Sequence, residues 1–204
     1  CLVGSEMCIR DRPMADEKVK ILNNVGDILV TKYGGDWINF IDDGPKKLYD
    51  NGKGLVERLV RDFKRFDDHS IFENEKVYFL KLAQLAFWGI HRELSKRYFY
   101  IEDMENMTAF ADYIIPVALE SFGIVKYSSE LKEKIDSGIL IDKDSTEEIE
   151  IRSTSIYATA KLTELINNYK KEEEKIIIPQ LDFKIWTDFH ADERPHHLTK
   201  TIMY

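Results

Sequence analysis

The sequence predicts an all-α fold built as a single helical domain. Apolar residues recur at three- and four-residue spacing through most of the chain. Asp144-Ser145 stands just ahead of Glu147-Glu148, a helix-start signature. The β-branched start of "IIIPQLDFKIW" runs straight into Pro179, a residue suited to a first helical turn.

Taken in order, Val19, Leu22, Val25, Leu29 and Val30 define one face of a helix over 17–33, which Gly34-Gly35 stops. A short "DWINFI" segment follows, then turn chemistry at "DDGP" and "DNGKG". Leu55, Leu59, Val60 and Phe63 mark the next helix, which ends near "FDDHS". Residues 75–98 are apolar on more than one side and predict a central buried helix. Residues 104–122 predict another, with Pro116 either kinking it or sitting in the first turn of a second helix. A surface helix is expected over 128–136, then a Gly138 turn. A helix capped by Asp144 or Ser145 comes next, with "KKEEEK" as its solvated end, and a last helix starts at Pro179. The apolar "TIMY" terminus suggests a tail that docks.

The first twelve of the 204 residues resemble the in-frame translation of a sequencing-library adapter and are set aside as an artefact. Both cysteines lie there, so the remainder offers no disulfide, thiolate zinc site or thiol nucleophile, and a cytoplasmic setting is expected. A formal charge of −8 opposes a nucleic-acid surface and suits small cationic or mixed-charge ligands. The apolar part of the first twelve residues is too short and too charged for a signal peptide or a membrane span.

Four constellations carry candidate chemistry. Asp112 lies inside the apolar run "MTAFADYIIPVALESFGIV". Helical spacing puts it at the edge of a face made by Phe110, Tyr113, Ile114 and Val117, which leaves a solvated Asp and a functional one both open. Lys81 shares a polar strip with Gln84 and Trp88, as a snorkelling lysine or as an ammonium facing an anion. His196, His197, Arg194 and Lys200 form a cationic cluster fit for a phosphate-sized anion; with His190, Asp192 and Glu193 it matches no standard ligand spacing, so no metal is expected. Asp182 and Trp186 lie one turn apart beside Phe183; the aromatics are core or, with the carboxylate, a grip on a purine-like base. Glycine-rich phosphate loops and a nucleophilic Ser with a partner His are absent, and no cofactor is expected.

Together, "YGGDWINFI", "VYFLKLAQLAFW", "MTAFADYIIPVAL", "FGIVKYS", "EEIEIRSTSIYATAKL", "LDFKIW" and "RPHHLTKTIMY" resemble, in order, the motifs of the queuosine salvage protein family. The resemblance implies a helical fold similar to helix-hairpin-helix DNA glycosylases, and residues 13–204 as the C-terminal two-thirds of the family's domain. It implies hydrolysis of queuosine 5′-monophosphate to queuine and ribose 5-phosphate, with a small-molecule substrate and neither nucleic acid nor membrane as direct partner. In "FADY", Phe110 would contact the base and Asp112 would be the catalytic carboxylate. In "LDFKIW", Asp182 and Phe183 would recognise the base beside Trp186. The family's acidic residue directly after this Trp is displaced, since Thr187 precedes Asp188, and a base-contacting N-terminal His has no counterpart. Charge suggests Lys81, His196, His197 and Lys200 for the 5′-phosphate. The alternatives are a helical binding module without turnover, or an inactive fragment.

Overall fold

A computed structural model describes residues 14–95 and 99–203, and the expected adapter peptide lies outside the described residues. Eight α-helices among them bear out the all-α expectation: α1 Ala15–Tyr33, α2 Trp37–Asp42, α3 Leu55–Asp62, α4 Lys81–Leu94, α5 Ile114–Ser121, α6 Ser129–Asp136, α7 Thr146–Asn167 and α8 Ile178–Phe189. No helix among the described residues is long and apolar enough to cross a membrane.

The buried faces follow the predicted period with one rotation. On α1, Val25, Ile28 and Leu29 pack on the core and Tyr33 is buried. Val19, Leu22 and Val30 are exposed, because the apolar residues of α1 support two overlapping stripes and the core takes the one through Val25 and Ile28. Gly34 closes this helix at φ 63, a left-handed backbone that glycine adopts without steric cost. "DWINFI" becomes α2, capped by the Asp36 carboxylate accepting from the Ile38 N–H.

The expected helix over 75–98 is corrected at its front. His69–Phe72 (β1) and Glu75–Tyr78 (β2) pair antiparallel, in the register His69 with Tyr78 and Phe72 with Glu75, and α4 begins only at Lys81. Glu73 and Asn74 both take positive φ, the twist that a two-residue hairpin loop requires. Four-residue strands leave only a brief alternation in the sequence, and here it merges into the apolar run of α4.

The stretch 104–122 is likewise not one helix. A 3-10 turn at Met104–Asn106 leads into extended chain, and α5 starts at Ile114 with Pro116 in its first turn, where the missing N–H costs nothing. Asp112 therefore lies ahead of a helix and not at the edge of one.

Helices α6 and α7 start as predicted, with Ser128 accepting from Leu131 N–H and Ser145 from Glu148 N–H. Helices α5, α7 and α8 share a core of Ile115, Ala118, Leu119, Ala158 and Ile185. The tail docks beside α6: Leu198 pairs with Leu140 and its carbonyl accepts the Ile141 N–H at 2.8 Å. Tyr204 lies outside the described residues.

Candidate active site

Asp112 sits on a short extended segment held by hydrogen bonds along its length. Thr108 N–H donates to the buried Gln84 Oε1 at 2.8 Å, and Gln84 Nε2 donates to Thr108 Oγ1 at 2.9 Å. Phe110 N–H donates to Asp182 Oδ2 at 2.9 Å, which ties α8 to the segment. Ala111 takes φ 45, a left-handed conformation rarely adopted by a residue with a Cβ. The Asp112 Oδ1 then accepts from Ile114 N–H at 2.9 Å and Ile115 N–H at 3.0 Å, capping α5.

This turn delivers Asp112 into a cavity of about 340 Å³. Lys81 and Leu85 of α4, Phe110, Asp112 and Tyr113, and Asp182, Phe183 and Trp186 of α8 line it. Asp112 is 5% exposed, Asp182 2% and Lys81 9%, so three ionisable groups lie buried in the floor of a cavity whose other walls, Leu85, Tyr113, Phe183 and Trp186, are partly open to solvent. A second cavity of about 320 Å³, between Trp37, Phe40, Phe66 and Phe87, has no ionisable lining and no chemistry to offer.

Burial pushes the Asp182 carboxyl up to about 7; the Phe110 N–H opposes that, the Asp112 charge adds to it, and the Lys81 ammonium opposes it. Burial likewise pulls Lys81 below the usual lysine range, against the attraction of Asp112, with Arg152 adding to the fall and Asp182 opposing it. Two perturbed ionisable groups, Asp182 and Lys81, thus share one cavity with Asp112, as at many functional sites.

Around this cluster the aromatic walls are braced from outside. The Arg92 guanidinium lies 4.3 Å from the Phe183 ring centre, Trp186 stacks on His190 at 4.8 Å, and Tyr113 packs against His196 at 4.7 Å.

Of the residues singled out in sequence, the fold brings Lys81, Phe110, Asp112, Asp182, Phe183 and Trp186 to one cavity, and His196 to its rim through Tyr113. Four others lie elsewhere. Asp188 is half-exposed and pairs with Lys184, because six residues along a helix turn it about 120° away from Asp182. Arg194 is taken by Asp192. Lys200 is not among the lining residues. His197 is 3% exposed, and burial, then the charges of His196 and Arg152, bring its pKa down to about 4, so it is a neutral ring at physiological pH and no phosphate cation.

That depression predicts an acid-sensitive tail. Below pH 6.5 the unfolded chain protonates His197 and the folded chain does not, so folding stability falls by about 1.4 kcal/mol per pH unit from 6.5 towards 4. Thermal melts at pH 7 and pH 5 should show a drop in Tm that is clearly smaller in His197→Gln. Equal drops in the two proteins would contradict this account.

Sequence reasoning missed the supports of the site: Gln84 on Thr108, and a buried ion pair in which Arg152 Nη2 meets Asp68 Oδ2 at 2.6 Å. Glu148 and Arg152 stand four apart on α7, a pattern normally read as a solvated helix face, so its burial left no local signal.

The family model described as queuosine salvage protein matches residues 5–204. The chain is 30% identical over 205 residues to a Mus musculus protein named queuosine 5′-phosphate N-glycosylase/hydrolase, covering 94% of this chain and 59% of that protein. A Dictyostelium discoideum protein of the same name is 31% identical, with coverage of 96% and 60%, and one from Sphaerobacter thermophilus is 26% identical, with coverage of 94% and 58%. The chain thus spans about three-fifths of the length of the curated relatives it matches. With a match that runs through every segment building the cavity, this chain belongs to the queuosine salvage protein family.

Proposed function

We propose that the protein hydrolyses the N-glycosidic bond of queuosine 5′-monophosphate, releasing queuine and ribose 5-phosphate. The observation that carries this reading is the buried Asp112 carboxylate sharing one cavity with Asp182, Lys81 and four aromatic rings. The names of the relatives agree with it.

The chemistry follows from charge. As the bond between C1′ and the base nitrogen breaks, the electron pair leaves with the base and positive charge grows on C1′ and the ring oxygen. A fixed carboxylate in a dry site stabilises that charge strongly. Asp112 Oδ1 is committed to two backbone N–H groups, which leaves Oδ2 for the sugar. Water then supplies hydroxide to C1′, and its proton ends on the base. Queuine is a 7-deazaguanine without an N7 to protonate, so the leaving base is held through its other edges. Asp182 would accept its N–H groups between Phe110 and the rings of Phe183 and Trp186.

The phosphate end belongs on the Lys81 side. Lys81 also lines a neighbouring cleft of about 560 Å³ that carries Lys18, Arg65 and Thr201. His197 and Lys200 have no part in this placement.

Incubating the protein as its gene encodes it with queuosine 5′-monophosphate should release free queuine and ribose 5-phosphate in equal amounts. Tight binding of queuine with no sugar phosphate formed would instead establish a non-catalytic binding module.

A further inference from the structure

Two site residues are each preceded by a residue in the left-handed region. Leu80, at φ 50, comes immediately before Lys81, and Ala111, at φ 45, immediately before Asp112. Neither is glycine, so both backbones carry a steric cost that neighbouring structure must hold in place.

One buried ion pair touches both. The Asp68 carbonyl accepts from Phe79 N–H at 3.0 Å and Leu80 N–H at 3.1 Å, and its carboxylate accepts the Lys81 N–H at 3.3 Å. The same carboxylate takes two hydrogen bonds from the Arg152 guanidinium, at 3.0 and 2.6 Å. The third guanidinium nitrogen, Nε, donates to the Ala111 carbonyl at 3.4 Å. Glu148 meets the guanidinium from α7 at 3.5 Å, and the Phe79 ring lies 3.9 Å from its centre. Asp68 and Arg152 are 2% and 1% exposed, and they stand 84 residues apart in the chain.

We infer that the Asp68–Arg152 pair is a positioning device that locks the two strained turns together and so fixes Lys81 relative to Asp112. This rests on the N-glycosidase reading of the cavity. Neither member of the pair lines the cavity, so the pair acts through the backbone at Leu80 and Ala111. A fully buried ion pair is a weak source of net stability, whereas its planar, multidentate geometry is well suited to setting position.

The test is Arg152→Lys, which keeps the charge opposite Asp68 but cannot bond Asp68 twice and Ala111 at once. With queuosine 5′-monophosphate as substrate, kcat should fall about 10²-fold, as expected for a misplacement near 1 Å. The binding of free queuine, which carries no phosphate for Lys81 to meet, should stay within about threefold, because Asp182, Phe183 and Trp186 are untouched. Adding Ala111→Gly removes the steric cost of the left-handed turn and should recover about tenfold of the lost kcat. A merely structural arginine would not be rescued at residue 111. Should Arg152→Lys fold too poorly to assay, Asp68→Asn with and without Ala111→Gly makes the same comparison. Wild-type kcat in Arg152→Lys, or losses that Ala111→Gly does not relieve, would overturn the inference while leaving the N-glycosidase reading intact. A wild-type protein that releases no base would overturn both.

Discussion

Asp112→Asn is expected to lower kcat for base release by about 10³-fold or more while leaving the fold in place. The substitution removes the only full negative charge that the proposed chemistry places at the sugar, among buried groups where screening is weak. Asparagine is the informative substitution because the structure gives Asp112 a second duty. Its Oδ1 caps α5 through the N–H groups of Ile114 and Ile115. Asparagine keeps an acceptor there, whereas alanine removes it and costs about 1 kcal/mol of stability besides any chemistry. Asp112→Ala alone would confound a lost cap with a lost catalyst. Initial rates of queuine release, with Tm measured on the same preparations, separate the two. Base release at more than a tenth of the wild-type rate in Asp112→Asn would remove the carboxylate from the mechanism.

The second large effect is on pH dependence through Asp182. In the free protein its carboxyl is pushed up to about 7, and the proposed role of accepting the N–H groups of the base is filled best by the ionised form. As pH falls below 7, kcat/KM should therefore fall about tenfold per unit, since that parameter reports groups of the free protein. Asp182→Asn should lose this acid limb and run about 10²-fold below the wild-type plateau. The stability sign is opposite. A carboxyl raised from 3.8 to about 7 binds its proton more tightly when folded, so its contribution is present at low pH and lost as pH rises through 7. Asp182→Asn should thus be more stable than wild type at pH 8, by up to roughly 4 kcal/mol, with the gap narrowing as pH falls below 7 towards 4. Parallel pH–rate profiles, or a variant less stable at pH 8, would contradict the assignment.

Much of this architecture was legible locally. The cap at residue 145, the Gly34 stop and Pro179 in a first turn operate within one helical turn of sequence, and each is found where its chemistry puts it. The hairpin of β1 and β2 escaped because four-residue strands leave too little alternation beside a helix as apolar as α4. At the site, the pairing of Asp182 with Trp186 across one turn survives as a shared wall, whereas Asp188 rotates out on the same helix. The cationic cluster dissolved, since His197 is buried as a neutral ring and Arg194 is occupied by Asp192.

The sequence by itself determined the helical class, those helix ends marked by a local cap or stop such as Gly34, Ser145 and Pro179, and the family motifs that drew attention to Asp112. Only the tertiary structure decided that Asp112 is buried, that it caps α5, and that it shares a cavity with Lys81 and Asp182. The reason is range. Capping and periodicity act between residues a few positions apart. The placement of Asp112 depends on Asp182, which reaches the neighbouring Phe110 backbone across 72 residues, and on an Arg152–Asp68 contact spanning 84.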